Sequence, residues 1–200
     1  MGELRGSIGR VARHLCLDMQ RLFSREGPWP TPWMERVLPV VLRLARRAPE
    51  RTIFTRFIPP RQPEGMPGIW RDYYRKWRDV TRERLDPTLL ELMPELRQLT
   101  PPALVLDKAV YSAFADGRLH QRLCEYGTDT LIVTGSETDV CVLSSVLAAV
   151  DHGYRVVLVR DAVCSSSDQA HDALLELYRA RFDVQIELAE ADQVLEAWQL

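Results

Sequence analysis

Two short runs, Thr130-Leu131-Ile132-Val133-Thr134 and Arg155-Val156-Val157-Leu158-Val159, constrain the fold more than any other part of the chain. Each is continuous and rich in β-branched residues rather than alternating, which suits a strand buried on both faces. Between them, Thr138 to His152 carries apolar residues at Val142, Val146, Ala149 and Val150 and meets Gly153, the pattern of a helix with a glycine cap. Strands that alternate with helices in this way argue for a mostly parallel sheet covered on both sides.

The rest of the chain repeats the rhythm. Arg13–Asp18 is short, apolar and ends in a carboxylate, and Arg51–Ile58 alternates until Pro59-Pro60 stops it. Weaker strand candidates are 103–107 and 183–188. Ser167 or Asp168 can cap a helix running to about Arg181, with Ala170, Leu174, Leu177 and Tyr178 on one face. Segments 32–48, 116–126 and 190–198 also read as helices. The expected fold is α/β: a three-layer, doubly wound, mostly parallel sheet of about six strands. The 200 residues suffice for one sizeable core and are too few for two full domains, so residues 1–200 are read as a single domain.

Residues 59–102 break the pattern. They are rich in proline and hold a cluster of Trp70, Tyr73, Tyr74 and Trp77. A long connection of this kind is usually a lid or pocket wall; the plainer alternative is that the aromatics pack the excursion onto the core, and the two are compatible.

Composition excludes several classes of function. With 26 basic and 28 acidic residues the net charge is −2, which does not suit a surface built to neutralise phosphates, so nucleic acid is not an expected partner. No apolar run approaches the roughly 18 residues that span a bilayer, and no apolar stretch follows the charges at Arg5, Arg10 and Arg13 as it would in a secretory signal. A cytoplasmic location and no membrane partner are the expectation. The four cysteines, Cys16, Cys124, Cys141 and Cys164, show no C-x-x-C spacing, so neither a zinc ribbon nor a redox pair is supported. Cys16, Cys124 and Cys164 read as buried packing residues.

Open α/β sheets bind ligands at the carboxyl ends of their strands. Asp18, Lys108 and Cys141 all fall at or just beyond such ends. Cys141 lies in the first turn of a helix, where free N–H groups and the helix dipole favour a thiolate. A nearby ammonium would lower the thiol pKa further, and a carboxylate between them could orient the lysine and accept the thiol proton. Nucleophile, base and orienting cation make the general layout of covalent catalysis. Taken singly, each has a plainer reading: a packed cysteine, a helix cap and a solvated lysine.

The wording around all three shifts that balance. Thr134-Gly-Ser-Glu-Thr-Asp-Val-Cys141-Val-Leu, followed by Ala148 to Ala162, resembles the isochorismatase-like cysteine hydrolases, which include nicotinamidases, N-carbamoylsarcosine amidohydrolases and ureidoacrylate hydrolases. Leu17-Asp18-Met19-Gln20 resembles the family's first-strand motif, and Lys108-Ala-Val-Tyr111-Ser112-Ala113-Phe114 its lysine motif. The motifs follow the family's order, and the resemblance spans roughly residues 12–190. It implies Asp18 as general base, Cys141 as nucleophile and Lys108 as the residue holding the pair. It also implies a cis peptide at Ser136–Glu137 that aims the backbone N–H of Glu137 alongside that of Cys141 as an oxyanion hole. The Glu137 side chain itself is read as facing solvent or capping the helix.

Departures from the family pattern narrow the expectation. Nicotinamidases of the family bind a metal through an Asp-x-His pair and further histidines after the second strand. Here that stretch is Thr55-Arg56-Phe57-Ile58-Pro59-Pro60, and no histidine lies between His14 and His120. No metal and no cofactor are therefore expected, and His14, His120, His152 and His171 read as structural or surface residues. The isochorismate-cleaving branch often has glycine in place of the cysteine, so Cys141 favours C–N hydrolysis of a small amide or ureido substrate. Vinyl-ether hydrolysis, or a scaffold domain without turnover, are the alternatives. Arg56 is a candidate to bind a substrate carboxylate, or else to pair with an acidic neighbour. Trp70, Tyr73, Trp77 and Tyr111 are candidates to line the pocket. The resemblance further implies a homo-oligomer, a dimer or tetramer.

Overall fold

The structure is a computed structural model that describes residues 4–200. Six strands form one sheet: β1 (Arg13–Leu17), β2 (Thr52–Phe57), β3 (Leu104–Lys108), β4 (Thr130–Ser136), β5 (Arg155–Cys164) and β6 (Ile186–Ala189). All pairings are parallel, in the order β3-β2-β1-β4-β5-β6. The helices are α1 (Met34–Arg47), α2 (Ile69–Lys76), α3 (Pro94–Arg97), α4 (Arg118–Glu125), α5 (Leu143–Asp151), α6 (Asp168–Arg181) and α7 (Ala191–Ala197). None among the described residues is long and apolar enough to cross a membrane.

The continuous apolar strands are explained by two cores, one on each side of the sheet. Successive strand residues point to opposite faces. Cys16, Phe54, Ile132 and Val157 pack with Met34, Val41 and Leu44 of α1, Val194 of α7 and residues of the 59–102 excursion. Leu15, Ile53, Leu131, Val133, Val156 and Leu158 pack with Leu119 and Leu123 of α4, Val146 and Ala149 of α5, and Leu174 and Tyr178 of α6. The result is the expected three-layer α/β architecture.

Some boundaries differ from the sequence expectation, each for a local reason. β5 runs on to Cys164 past the charged pair Arg160-Asp161, because a register shift between Val133 and Gly135 lets it keep pairing with β4. β6 begins at Ile186, since Gln185 and Ile186 donate their N–H groups to the Phe182 carbonyl in a turn. The helix expected from Thr138 opens as a π turn over Thr138–Val142 before α5 continues it. Ser167 caps α6 by accepting the Ala170 N–H at 3.2 Å.

The chain order reverses between β1 and β4, which lie side by side at the sheet centre, so a crevice opens beyond their carboxyl ends. Gly135 permits their close approach: its φ is +111°, and a Cβ there would overlap the Leu17 backbone. The 59–102 excursion is more ordered than its prolines suggest, holding α2, α3 and several 3₁₀ turns. Gln20 ties it to the crevice: its side chain donates to the carbonyls of Phe57 (3.2 Å) and Leu90 (2.8 Å) and accepts the Phe57 N–H at 2.6 Å. Met93 N–H bonds the Met19 carbonyl at 2.9 Å.

Candidate active site

Asp18 is the first residue past β1 and has φ +51°, the one non-glycine residue with positive φ among those described. Held in this unfavoured region, it turns its carboxylate into the crevice, where the side chain is fully buried. The Thr55 hydroxyl on β2 donates to Asp18 Oδ1 at 2.6 Å, and the Asp18 N–H donates back to Thr55 Oγ1 at 3.2 Å.

Lys108 ends β3, two strands away. Its register partner is Phe57, and its ammonium crosses the Phe57 ring at 4.9 Å to reach the sheet centre. There Nζ lies 2.6 Å from Asp18 Oδ2 and donates to Cys141 Sγ at 3.3 Å and to the Val110 carbonyl at 3.1 Å. The ammonium thus donates two hydrogen bonds and pairs its charge with Asp18. Burial pulls it down, but the Asp18 charge and the contact with Cys141 outweigh that and hold the Lys108 pKa above its ordinary value.

Cys141 lies in the π turn after β4, with 6% of its surface exposed. Burial pushes its thiol up and the Asp18 charge adds to the effect, more than Lys108 offsets. The helix-start position alone favours a thiolate; burial and the Asp18 charge work against it. The Ser136–Glu137 peptide before the turn is cis.

Cys141 forms part of the floor of a cavity of about 370 Å³. Of the residues expected to line it, Tyr73, Trp77 and Tyr111 do. Trp70 does not: it stands behind them, its ring 4.8 Å from Tyr111 and 5.4 Å from Tyr73, because α2 turns it onto the second row of aromatics. Arg56 is also displaced from that role. It faces Asp107 across the β2–β3 register and makes a two-pronged bond to it at 2.7 and 2.9 Å, with Glu91 at 3.4 Å, so its fork is already filled.

Glu137, expected to face solvent or cap the helix, instead lines the cavity. Burial raises its carboxyl to about 7, with Asp139 and Asp18 adding and a hydrogen bond from Ser166 opposing. Phe57, which leaves β2 toward the same rim as Arg56, stands on the walls, and so do Phe23 and Trp29, which the sequence did not point to. Trp29 meets Trp77 edge-on at 5.8 Å. The available signal was an aromatic between two prolines, Pro28-Trp29-Pro30, in the loop leaving a central strand.

The residues do not fit a metal centre. Among those described, no three His, Cys, Asp or Glu side chains converge. His14 lies beneath the sheet between Thr134 (2.8 Å) and Thr52 (3.3 Å), His120 and His152 stack together, and His171 bonds Thr138. Cys16 and Cys164 are buried, and burial pushes both thiols up to about 12. Cys124 is a correction: it is exposed, on the outer side of α4 beside His120.

A family model described as the isochorismatase domain matches residues 13–190. The chain belongs to the isochorismatase family. It is 31% identical over 167 residues to Nicotinamidase 3 of Arabidopsis thaliana, covering 83% of this chain and 79% of that one. A shorter stretch of 72 residues is 35% identical to maleamate amidohydrolase of Pseudomonas putida; it covers 36% of this chain and 34% of the relative, about a third of its length. In fold, a cysteine hydrolase from Pseudomonas syringae pv. phaseolicola superposes with a TM-score of 0.83 over 98% of this chain and 96% of its own, at 22% identity. In this member of the isochorismatase family the crevice lies at the β1–β4 junction, and aromatic rings line the cavity that reaches Cys141.

Proposed function

We propose that this chain is a cysteine hydrolase that cleaves the C–N bond of a small amide or ureido compound without a metal. The observation that carries the reading is the convergence of Asp18 and Lys108 with Cys141, from three strand ends, where Cys141 lines the cavity and Nζ lies 2.6 Å from the carboxylate and 3.3 Å from the sulfur. Asp18 takes the thiol proton as Cys141 Sγ attacks the substrate carbonyl. The backbone N–H groups of Glu137 and Cys141, at the start of the turn where such groups lack intrahelical partners, hold the oxyanion. As the intermediate collapses, Asp18 passes the proton to the departing nitrogen, leaving a thioester. Asp18 then takes a proton from water, the hydroxide adds to the thioester, and the Cys141 sulfur leaves and is reprotonated. Lys108 keeps both partners in place and stabilises negative charge on either. Residues 59–102 act as the substrate-facing part of a single hydrolase domain, through Tyr73 and Trp77.

The test is a panel of carboxamides and ureido compounds assayed for released ammonia, with intact-protein mass spectrometry on quenched turnover. Ammonia release, an acyl adduct on Cys141, and loss of about three orders of magnitude or more in Cys141→Ala at unchanged circular dichroism support the reading. Hydrolysis at the parent rate by Cys141→Ala overturns it.

A further inference from the structure

The cavity has a charge character that the hydrolytic machinery does not require. Its walls are Phe23, Trp29, Phe57, Tyr73, Trp77 and Tyr111, and the one ionisable side chain on them besides the phenols and the Cys141 thiol is Glu137. The lining has no lysine, arginine or histidine. The Lys108 ammonium is already paired with the Asp18 carboxylate and donates to Cys141 and the Val110 carbonyl. Arg56, also at this end of the sheet, is held by Asp107. The Glu137 carboxylate acts on both the Tyr73 and the Tyr111 phenol, so it faces the same space as the rings. Ring faces are negative and attract cations. A carboxylate among them, partly removed from water and without a basic partner, lacks a counter-charge.

We propose that this cavity selects amides that also carry a positive charge, an ammonium, quaternary ammonium or guanidinium group, held between the Glu137 carboxylate and the aromatic walls. This rests on reading the cavity as the substrate site and adds the substrate class. An anionic amide would meet the Glu137 charge in a lining that offers no cation to receive it. A neutral amide would fill the space but leave Glu137 unpaired.

The groups around Glu137 set the pH behaviour. Asp139 and Asp18 repel its charge and the Ser166 hydroxyl stabilises it. Tyr73, Tyr111, Cys141 and Cys164 are held in their neutral forms, all four shifted upward with burial as the leading cause, and Lys108 is occupied by Asp18. Because the Glu137 carboxyl titrates at about 7, its charge is present above that pH and lost below it.

The decisive probes are trimethylglycinamide and its neutral isostere 3,3-dimethylbutanamide, which differ by one nitrogen for carbon. Succinamate serves as the anionic comparison. Binding is measured in Cys141→Ala, which removes turnover, through the fluorescence of Trp29 and Trp77; kcat/KM is measured in the parent enzyme. The expected result is at least about ten-fold tighter binding of the cation than of the isostere near pH 8.5, shrinking near pH 6 and in Cys141→Ala/Glu137→Gln. The parent enzyme's kcat/KM ratio for the two amides should likewise fall in Glu137→Gln, a comparison that cancels their intrinsic reactivity difference. The pH series on Cys141→Ala alone keeps the test decisive if the Glu137 variants fold poorly. Equal affinities, preference for succinamate, a cation preference untouched by Glu137→Gln and by pH, or no binding of either isostere overturns the proposal. Cation-selective binding without turnover would overturn the hydrolase reading and leave this one standing; turnover without cation preference would do the reverse.

Discussion

Replacing Lys108 by methionine keeps an unbranched chain of similar length but removes the ammonium. The Asp18 carboxylate, with no exposed surface, is then left with the Thr55 hydroxyl at 2.6 Å, and Cys141 Sγ and the Val110 carbonyl each lose a donor. Breaking a buried ion pair by deleting one partner costs about 3–5 kcal/mol, mostly the penalty of the stranded charge. That is a large part of a typical domain's stability of roughly 5–15 kcal/mol. Removing both charges, in Asp18→Asn/Lys108→Met, leaves an amide that can still accept the Thr55 hydroxyl, so the double variant should be more stable than Lys108→Met alone. Urea unfolding followed by tryptophan fluorescence measures both, and at slopes of about 1–3 kcal/mol per molar the single variant's midpoint should fall by a molar or more. Lys108→Met within about 1 kcal/mol of the parent, the size expected of a solvated pair, would refute the argument. So would a double variant whose loss equals the sum of the two singles.

Three other outcomes follow from the same geometry. His14 is fully buried, and burial lowers its pKa from 6.5 to about 3. The unfolded chain therefore takes up a proton first, and this residue removes up to about 1.4 kcal/mol of stability per pH unit as pH falls through that window. An acid titration of His14→Gln by circular dichroism should show a shallower slope; an identical slope would remove His14 from the account. Gly135→Ala places a Cβ into the Leu17 backbone at φ +111° and should cost at least about 2 kcal/mol in melting experiments, with loss of activity because Asp18 and the π turn both hang on that junction. Trp29→Ala opens the wall beside Trp77 and should raise KM about ten-fold or more with a smaller change in kcat, measured by steady-state ammonia release.

The strands and helices were legible because burial on both faces of a parallel sheet leaves its mark in the chain itself. Thr130–Thr134 and Arg155–Val159 could hardly be anything else, and Ser167 announces α6 by its capping hydroxyl. The limits of β5 were less clear, because pairing with β4 continues through Arg160 and Asp161 against their preference for water. Arg56 took the acidic-neighbour alternative, and Trp70 fell behind the lining, for one shared reason. Position along the chain says which end of the sheet a residue occupies, but not which neighbour reaches it first, and Asp107 and Tyr111 did. Glu137 was placed on the surface since charged residues usually are there; the turn after β4 carries it inward instead.

The one-dimensional pattern thus determined the layering, the order of strands and helices and, through the resemblance, the three motif residues, all of which depend on local periodicity and on wording near a single position. Protonation and selectivity were decided only by folding. A helix-start cysteine reads as a thiolate until burial and the Asp18 charge push its pKa up, and a proline-rich stretch reads as a loop until its Tyr73 and Trp77 join Trp29 in a ring-lined chamber beside Glu137. Such properties arise from distances between groups far apart in the chain, because electrostatic energy depends on separation and on exclusion of water, neither of which residue order encodes.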